Sequence, residues 1–218
     1  LPLTRETVEV FLARSAVLYF LSDSYLNAPS STSIEVLRSE SVIDSWPLDR
    51  THPDAAAGLD RLGRYLAGWS PEQMAILERD YTRLFIGLES TLAPPYESVY
   101  LSDEHLLFEK ETLEVRSWYG RYGWQVPQLN MVPDDHIGYE LHFLARLSER
   151  VSSLLEKGDV GDALAVRQDL HQFIEDHPLK WLEMFVARIL EYSQTDFYVG
   201  IGNLTRVVVE QALKESVE

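Results

Sequence analysis

Side chains that could bind a metal ion or transfer a proton are concentrated at one place in the sequence. Asp134, Asp135 and His136 are followed closely by Glu140 and His142. If a helix begins here, His136 and Glu140 lie about one turn apart on one face, a spacing at which two side chains can share a metal ion. A metal-dependent hydrolase that uses Asp135, His136 and His142 is therefore one hypothesis. In the alternative, Asp134 caps the helix and the carboxylates stabilise its positive end.

The common signatures of catalysis do not accompany this cluster. The sequence has no phosphate-binding loop, no His-Glu-x-x-His zinc helix and no Glu-x-x-His pair. It has no cysteine, which excludes disulfides, thiolate catalysis and cysteine zinc sites. Gly200-Ile201-Gly202 is half of a dinucleotide fingerprint, but no strand precedes it, so we interpret these glycines as a helix start or a close contact between helices. We predict a protein that is not an enzyme and has no resident metal.

The charge of the chain restricts its partners. The 218 residues include 35 Asp and Glu against 19 Lys and Arg, which leaves a net charge of −16. Such a surface repels the phosphates of nucleic acids and attracts cationic partners. The apolar run 16–21 is too short to span a bilayer, and acidic residues rather than a basic cluster precede it. We expect a cytoplasmic protein that does not bind nucleic acid.

The elements that position these residues are predicted to be helices. Apolar residues recur at three- and four-residue intervals through the long segments, and no segment alternates convincingly with period two. The pattern predicts an all-α chain with one domain over residues 1–218 and roughly eight to eleven helices. One predicted helix runs from Ser70 to Gly87, and a longer one runs from Asp134 to Leu155. The loop 125–133 connects two helical halves and contains two prolines, so it is a candidate hinge for domain swapping.

Three stretches carry recognisable motifs. The first, Tyr81-Thr82-Arg83-Leu84-Phe85-Ile86-Gly87, has the pattern aromatic-x-x-Leu-Phe-x-Gly. The second, Ala93-Pro94-Pro95-Tyr96-Glu97-Ser98-Val99-Tyr100, is a Pro-Pro-aromatic segment. The third, Val132-Pro133-Asp134-Asp135-His136, is similar to a Glu-Pro-x-Asp-His signature with valine in place of glutamate, and His177 with Trp181 forms a later His-x-x-x-Trp pattern. In order and spacing, these motifs resemble the TorD/DmsD family of redox-enzyme maturation chaperones.

The resemblance implies a cytoplasmic, helical chaperone that binds the twin-arginine signal peptide of a molybdenum-containing reductase. Such a chaperone holds the apo form of the catalytic subunit back from export until the molybdopterin cofactor is inserted. The resemblance also implies properties of some family members. These are weak binding of guanine nucleotides or molybdopterin guanine dinucleotide, contact with the twin-arginine translocase, and a monomer that also forms domain-swapped dimers. A third hypothesis is a general assembly factor that docks on folded oxidoreductase subunits.

The residue types in the motifs suit the binding of a leader peptide. Two guanidinium groups followed by an apolar run require carboxylates beside an apolar groove. Glu97, Asp134 and Asp135 supply carboxylates. The rest of the candidate peptide site consists of Tyr81, Leu84, Phe85, Pro95, Tyr96, Tyr100, Trp118 and His136. The structural alternative is that the side chains of the first motif form a buried helical stripe.

Two expectations follow for the geometry of this site. Rings and carboxylates should line a water-excluding trough where the helix 70–87 meets the start of the helix at Asp134. Asp135 and His136 should lie at a helix start outside the core, so that alanine at either position leaves the melting temperature nearly intact. In that setting His136 should titrate near neutral pH and act as a hydrogen-bonding switch.

Overall fold

The chain is helical throughout most of the part that the structure describes. In this computed structural model the described residues are 5–39, 43–87, 91–102, 107, 110–127, 129 and 131–217. Their α-helices are α1 Arg5–Leu26, α2 Ser31–Ser39, α3 Pro53–Ala67, α4 Met74–Phe85, α5 Glu97–Leu101, α6 Lys110–Arg121, α7 Ile137–Lys157, α8 Val160–Asp176, α9 Pro178–Tyr192 and α10 Asp196–Val217. A 3-10 turn at Pro71–Gln73 precedes α4. The all-α prediction is confirmed, because these residues form no β-strand beyond one isolated bridge.

α7 and α10 make the most extensive contacts with other helices. α7 lies against α1 and α8, while α10 packs on α1, α3, α8 and α9. Ile137, Leu141 and Leu144 of α7 have no solvent exposure, as the predicted helical stripe requires. α7 ends at Gly158, whose φ of 81° is a left-handed conformation that glycine adopts readily.

The predicted hinge loop 125–133 is partly anchored to the core. Val126 is fully buried, and Leu129 and Val132 pack against the hydrophobic core. Residues 128 and 130 lie outside the described part of the chain. Domain swapping through this loop stays a prediction, as does the assignment of a single domain to residues 1–218.

Length and apolar composition together decide whether a helix can cross a bilayer. Within the described ranges, no helix has both the length and the apolar composition that spanning a membrane needs.

α3 and α10 approach each other closely at Gly58 and Gly200. A Cβ atom on Gly200 would lie 2.9 Å from the carbonyl oxygen of Gly58 and 3.0 Å from the backbone nitrogen of Leu62. A Cβ atom on Gly202 would lie 3.2 Å from Ile189 Cγ2, in α9. The interpretation of these glycines as a close contact between helices is therefore confirmed.

Replacing Gly200 with alanine should destabilise the protein, because its methyl group meets backbone atoms that cannot rotate away. We expect a loss of about 1–3 kcal/mol in the free energy of unfolding, measured by denaturant titration. Gly161→Ala is the control, since a Cβ atom on this helical glycine meets nothing within 4 Å. That variant should be as stable as the parent or more stable by up to about 1 kcal/mol. Equal stability of the two variants would contradict the close contact.

Candidate functional site

The second and third motifs meet in the structure. The backbone N–H of Glu97 donates to the carbonyl of Asp135 at 3.0 Å, and that of Ile137 donates to the carbonyl of Pro95 at 2.8 Å. These two bonds make the isolated antiparallel bridge between Tyr96 and His136. We call residues 95–98 and 134–137 the junction. It brings together two motifs that lie far apart in the sequence.

Asp135 is the most strongly held side chain of the junction. It has no solvent exposure. Its Oδ2 accepts from the backbone N–H of Ser98 at 2.8 Å, and its Oδ1 accepts from the hydroxyl of Thr112 at 2.6 Å. The carboxylate thus connects the start of α5, the first turn of α6 and the segment before α7. The expectation that Asp135 lies outside the core is wrong, because the residues before α7 are covered by α5 and α6.

Asp134 already has an arginine partner within the chain. Arg116 donates from Nε at 3.1 Å and from an Nη2 group at 2.7 Å, both to Asp134 Oδ2. This hydrogen bond raises the pKa of the Arg116 guanidinium. Tyr119 donates its hydroxyl to the Asp134 carbonyl at 3.0 Å. Asp134 is a predicted partner for a guanidinium group of a leader, but in the structure it pairs with an arginine of α6.

His136, rather than Asp134, caps α7. Its Nδ1 accepts from the backbone N–H of Gly138 at 3.0 Å, so the predicted capping role of Asp134 is wrong. Desolvation by burial lowers the pKa of His136 to about 3, and the imidazole is therefore neutral at physiological pH. The expectation of a titration near neutral pH is wrong for this reason. The ring packs edge-on against Tyr96, with 5.1 Å between centroids.

A buried acidic cluster lies beside the junction. His177 Nδ1 is 3.0 Å from Glu97 Oε2, and Trp181 Nε1 donates to Glu140 Oε2 at 3.4 Å. Burial raises the pKa of Glu140 well above its ordinary value of 4.5, and the negative charges of Glu97 and Asp135 raise it further. Burial also raises the pKa of Glu97, while the hydrogen bond to His177 opposes that shift. The His-x-x-x-Trp pattern therefore belongs to this cluster.

The geometry does not assemble the hypothesised metal site. Asp135 binds Ser98 and Thr112, and His136 caps α7. His142 instead stacks on Trp124, with 5.0 Å between ring centroids. Within the described ranges, no three His, Cys, Asp or Glu side chains are grouped so that they could hold a metal ion.

The first motif lies in the core. Tyr81, Leu84 and Phe85 are 5%, 0% and 3% exposed. The Tyr81 hydroxyl donates to the carbonyl of Tyr25 in α1 at 3.0 Å, and the Phe85 ring packs against the rings of Tyr25 and Tyr198. The buried stripe is the correct alternative for these residues. A trough lined by them is not present, because α1, α9 and α10 cover them.

Tyr100 and Trp118 are partly exposed and contact arginine side chains of this chain. Tyr100 stacks on Trp181 with 5.3 Å between centroids, and the guanidinium of Arg188 lies 5.9 Å from the Tyr100 ring. Trp118 carries the guanidinium of Arg121 at 4.0 Å from its ring. Aromatic rings therefore stack with guanidinium groups here, as cation–π attraction favours.

One residue that sequence reasoning missed explains how the first motif is placed. Asp80 is fully buried and accepts from the backbone N–H of Gln194 at 3.0 Å and from the hydroxyls of Ser193 at 2.9 Å and Thr195 at 2.7 Å. It thereby fixes the turn between α9 and α10 against α4. The only signal in the sequence was an acidic residue next to an apolar stripe, since its partners lie far along the chain.

Open concavities border α1. One of about 640 Å³ is formed by α1, α2, residues 45–47 and α10. Another of about 420 Å³ is lined by Tyr19, Trp124, Tyr139 and His142. Asp23 and Asn27 belong to the walls of both. Sequence reasoning did not single out Asp23 or Asn27.

Comparisons with known proteins place the chain among factors of redox-enzyme biogenesis. Residues 49–187 match the family model described as nitrate reductase delta subunit. The chain is 26% identical over 205 residues to the chaperone protein TorD of Vibrio cholerae, covering 91% of this chain and 89% of that one. It is 26% identical over 196 residues to the Tat proofreading chaperone DmsD of Salmonella typhi, covering 90% and 83%. A solved structure from Archaeoglobus fulgidus, proposed to be a redox enzyme maturation protein, is 18% identical with a TM-score of 0.48 and 94% coverage of each chain.

Replacing Asp135 with alanine should destabilise the protein, contrary to the expectation from the sequence. The change leaves the N–H of Ser98 and the hydroxyl of Thr112 without their acceptor in a buried place. We expect a loss of about 2–3 kcal/mol in the free energy of unfolding, measured by urea titration. Asp44→Ala removes an exposed carboxylate and should change stability by less than about 0.5 kcal/mol. An unchanged melting temperature for Asp135→Ala would contradict the buried linkage.

Replacing Glu140 with glutamine should change the dependence of stability on pH. Its pKa is higher in the folded chain than in the unfolded chain, so the protonated group stabilises the fold in acid. That contribution declines as the pH rises from about 4.5 toward the raised pKa. Glutamine keeps the acceptor for Trp181 without needing a proton. Its melting temperature should therefore equal that of the parent at pH 5 and exceed it by about 2–4 °C at pH 8.

The control for this experiment is Glu156→Gln, an exposed position on the same helix. It should not alter the difference in melting temperature between the two pH values. If Glu140→Gln is less stable than the parent at both pH values, the carboxyl group is not held in its protonated form.

Proposed function

The chain belongs to the nitrate reductase delta subunit family, and on that basis we propose that it is a chaperone for redox-enzyme maturation that binds the twin-arginine leader of its client. The relatives named TorD and DmsD confirm the resemblance that the three motifs carry. The proposal rests on one observation above all: similarity to a Tat proofreading chaperone extends over 90% of this chain and 83% of that relative. A match of this extent involves the whole arrangement of helices rather than a shared fragment.

The charge of the chain supports a cationic client segment. A net charge of −16 attracts a leader with two arginines and accelerates its encounter with the protein. Long-range attraction contributes little to the lifetime of the complex, which depends on close contacts. An arginine of the leader therefore needs a carboxylate within hydrogen-bonding distance, and its apolar run needs a groove that excludes water.

The polar groups of the junction have structural partners, which favours a structural role for them over a catalytic one. Asp135 binds Ser98 and Thr112, Asp134 binds Arg116, and His136 caps a helix. Each group is thus committed to a structural partner. We propose that the chain does not act as an enzyme and that the junction shapes the protein on which the leader binds.

The proposed client is the apo form of a molybdenum-containing reductase subunit, and the proposed place of action is the cytoplasm. A leader held by the chaperone is unavailable for export while the enzyme still lacks its molybdopterin cofactor. A monomeric chaperone suffices for this task. Contact with the translocase and weak binding of a guanine nucleotide remain expectations from the family resemblance.

A second candidate function is assembly on folded subunits. The family description names a subunit of nitrate reductase, which favours a factor that docks on an oxidoreductase. Such a factor recognises a surface of its partner and does not require the leader. The two functions therefore differ in whether an isolated leader peptide binds.

The protein should bind a labelled synthetic peptide that has two adjacent arginines followed by an apolar run. Replacing both arginines with alanine should weaken binding about a hundredfold or more, since each of the two lost charge-assisted hydrogen bonds removes about 1.5–3 kcal/mol. Replacement with lysine should weaken binding less, because the charge remains while the bidentate geometry is lost. Fluorescence anisotropy gives the Kd of each peptide.

A peptide with the same composition in scrambled order is the control for non-specific attraction by the acidic surface. Equal Kd values for the original and the scrambled peptide would contradict leader recognition. Failure of every peptide, together with capture of the folded reductase subunit, would establish the assembly function in its place.

A further inference from the structure

A mostly apolar concavity between α1 and α2 has no role in the contacts described so far. Its volume is about 640 Å³, within the usual range for sites that enclose a small ligand or part of a peptide. Phe20 of α1, Val36 and Leu37 of α2, Trp46 and Phe197 line it. We call it the α1–α2 trough.

The trough exposes apolar surface that packing inside the chain does not use. Val36 is 45% exposed, and Phe20 and Leu37 are half-buried at its walls. Trp46 is 6% exposed. Contiguous apolar surface of this kind on an acidic protein marks a place where another apolar group binds. A groove between two helices suits an amphipathic helix, whose apolar residues one turn apart enter it together.

Asp23 lies at one end of the trough. Among the described lining residues it is the single charged side chain. It is exposed, and its Oδ1 accepts from Asn27 Nδ2 at 2.6 Å. The last carbonyl groups of α1, which ends at Leu26, add partial negative charge at this point. The end of the trough therefore attracts a cation.

Asp23 also borders the aromatic recess of about 420 Å³, where Tyr19, Trp124 and Tyr139 present their rings. A guanidinium group pairs with a carboxylate and stacks on an aromatic face at the same time. A compact ammonium group cannot use both contacts as well. The combination of Asp23 and the recess therefore suits arginine.

We propose that the α1–α2 trough holds the apolar run of a leader peptide and that Asp23 pairs with one of its arginines. This assignment rests on the proposed function and adds the place of binding. Here a carboxylate lies at the end of an apolar groove. A peptide with a cationic segment followed by an apolar segment needs these two features side by side. The junction carboxylates lack this arrangement because they are enclosed.

The first motif and the start of α7 hold the last turns of α1. The hydroxyl of Ser22 donates to the carbonyl of Gly138 at 2.7 Å. Gly138 also lies so close to Leu26 that a Cβ atom there would be 2.5 Å from Leu26 Cγ. From the other side, Tyr81 donates to the carbonyl of Tyr25 at 3.0 Å. The residues on both sides of Asp23 are thus fixed by the first motif and by the start of α7, next to the junction.

The first test changes the apolar wall without changing charge. Val36→Gln places an amide where the leader's apolar run would bind, so the Kd for the labelled twin-arginine peptide should rise about fivefold or more. Leu113→Gln is the matched control, because Leu113 is 59% exposed on α6 and lies outside the trough. Its Kd should equal that of the parent. Circular dichroism and the melting temperature establish that both variants remain folded.

The second test isolates the contact between Asp23 and arginine. Asp23→Asn should raise the Kd for the twin-arginine peptide about tenfold and leave the Kd for the peptide with two alanines unchanged. Asp162→Asn makes the same change of net charge at an exposed position of α8 and should affect both peptides equally and slightly.

The outcomes separate this inference from the proposed function. If the unmodified protein binds the leader and both Val36→Gln and Asp23→Asn bind it normally, the leader lies elsewhere and only the trough assignment fails. If the unmodified protein does not bind the leader, both fail. If Val36→Gln abolishes a concentration-dependent dimer in sedimentation experiments while leader affinity is unchanged, a second copy of the chain occupies the trough and the assignment is overturned.

Discussion

A carboxylate without access to water sets the positions of the helices around the candidate site. Burial of such a group is stable only where hydrogen-bond donors surround it. For Asp135 these donors are the N–H of Ser98 and the hydroxyl of Thr112, while its own carbonyl accepts from Glu97. Three segments separated along the chain must therefore meet at one point. α7 begins at Ile137, two residues later, so this side chain helps to fix the position of its first turn.

The junction and the surface of the protein are connected through α1. Gly138 in the first turn of α7 contacts Leu26 and accepts from Ser22, and Tyr81 of α4 holds the carbonyl of Tyr25. A buried motif can in this way control an exposed groove without contacting what binds there. This division of roles accounts for motif residues that are chemically suited to a peptide and yet enclosed. They determine where the end of α1 lies.

The helices were predictable from the sequence, whereas the environment of each motif residue was not. Helical periodicity is local, and it identified the apolar face of α7 correctly. The start of α7 was placed too early, because Asp134 is a good capping residue and its actual partner, Arg116, lies in another helix. The stripe of Tyr81 and Phe85 looks the same in sequence whether it lines a groove or a core. Asp80 escaped notice because its three partners follow α9. Long-range hydrogen bonds leave no periodic signal.

The enclosed Glu140 releases a proton when this protein unfolds, whereas His136, whose pKa burial lowers to about 3, takes one up below its ordinary pKa of 6.5. At a pH between the ordinary value of 4.5 and the raised pKa of the native state, the folded chain carries a proton that the unfolded chain gives up. The buffer must take up that proton, and each buffer does so with its own heat of ionisation. The calorimetric enthalpy of unfolding therefore depends on the choice of buffer at constant pH and temperature. Comparing phosphate with an amine buffer would give the net number of protons exchanged on unfolding.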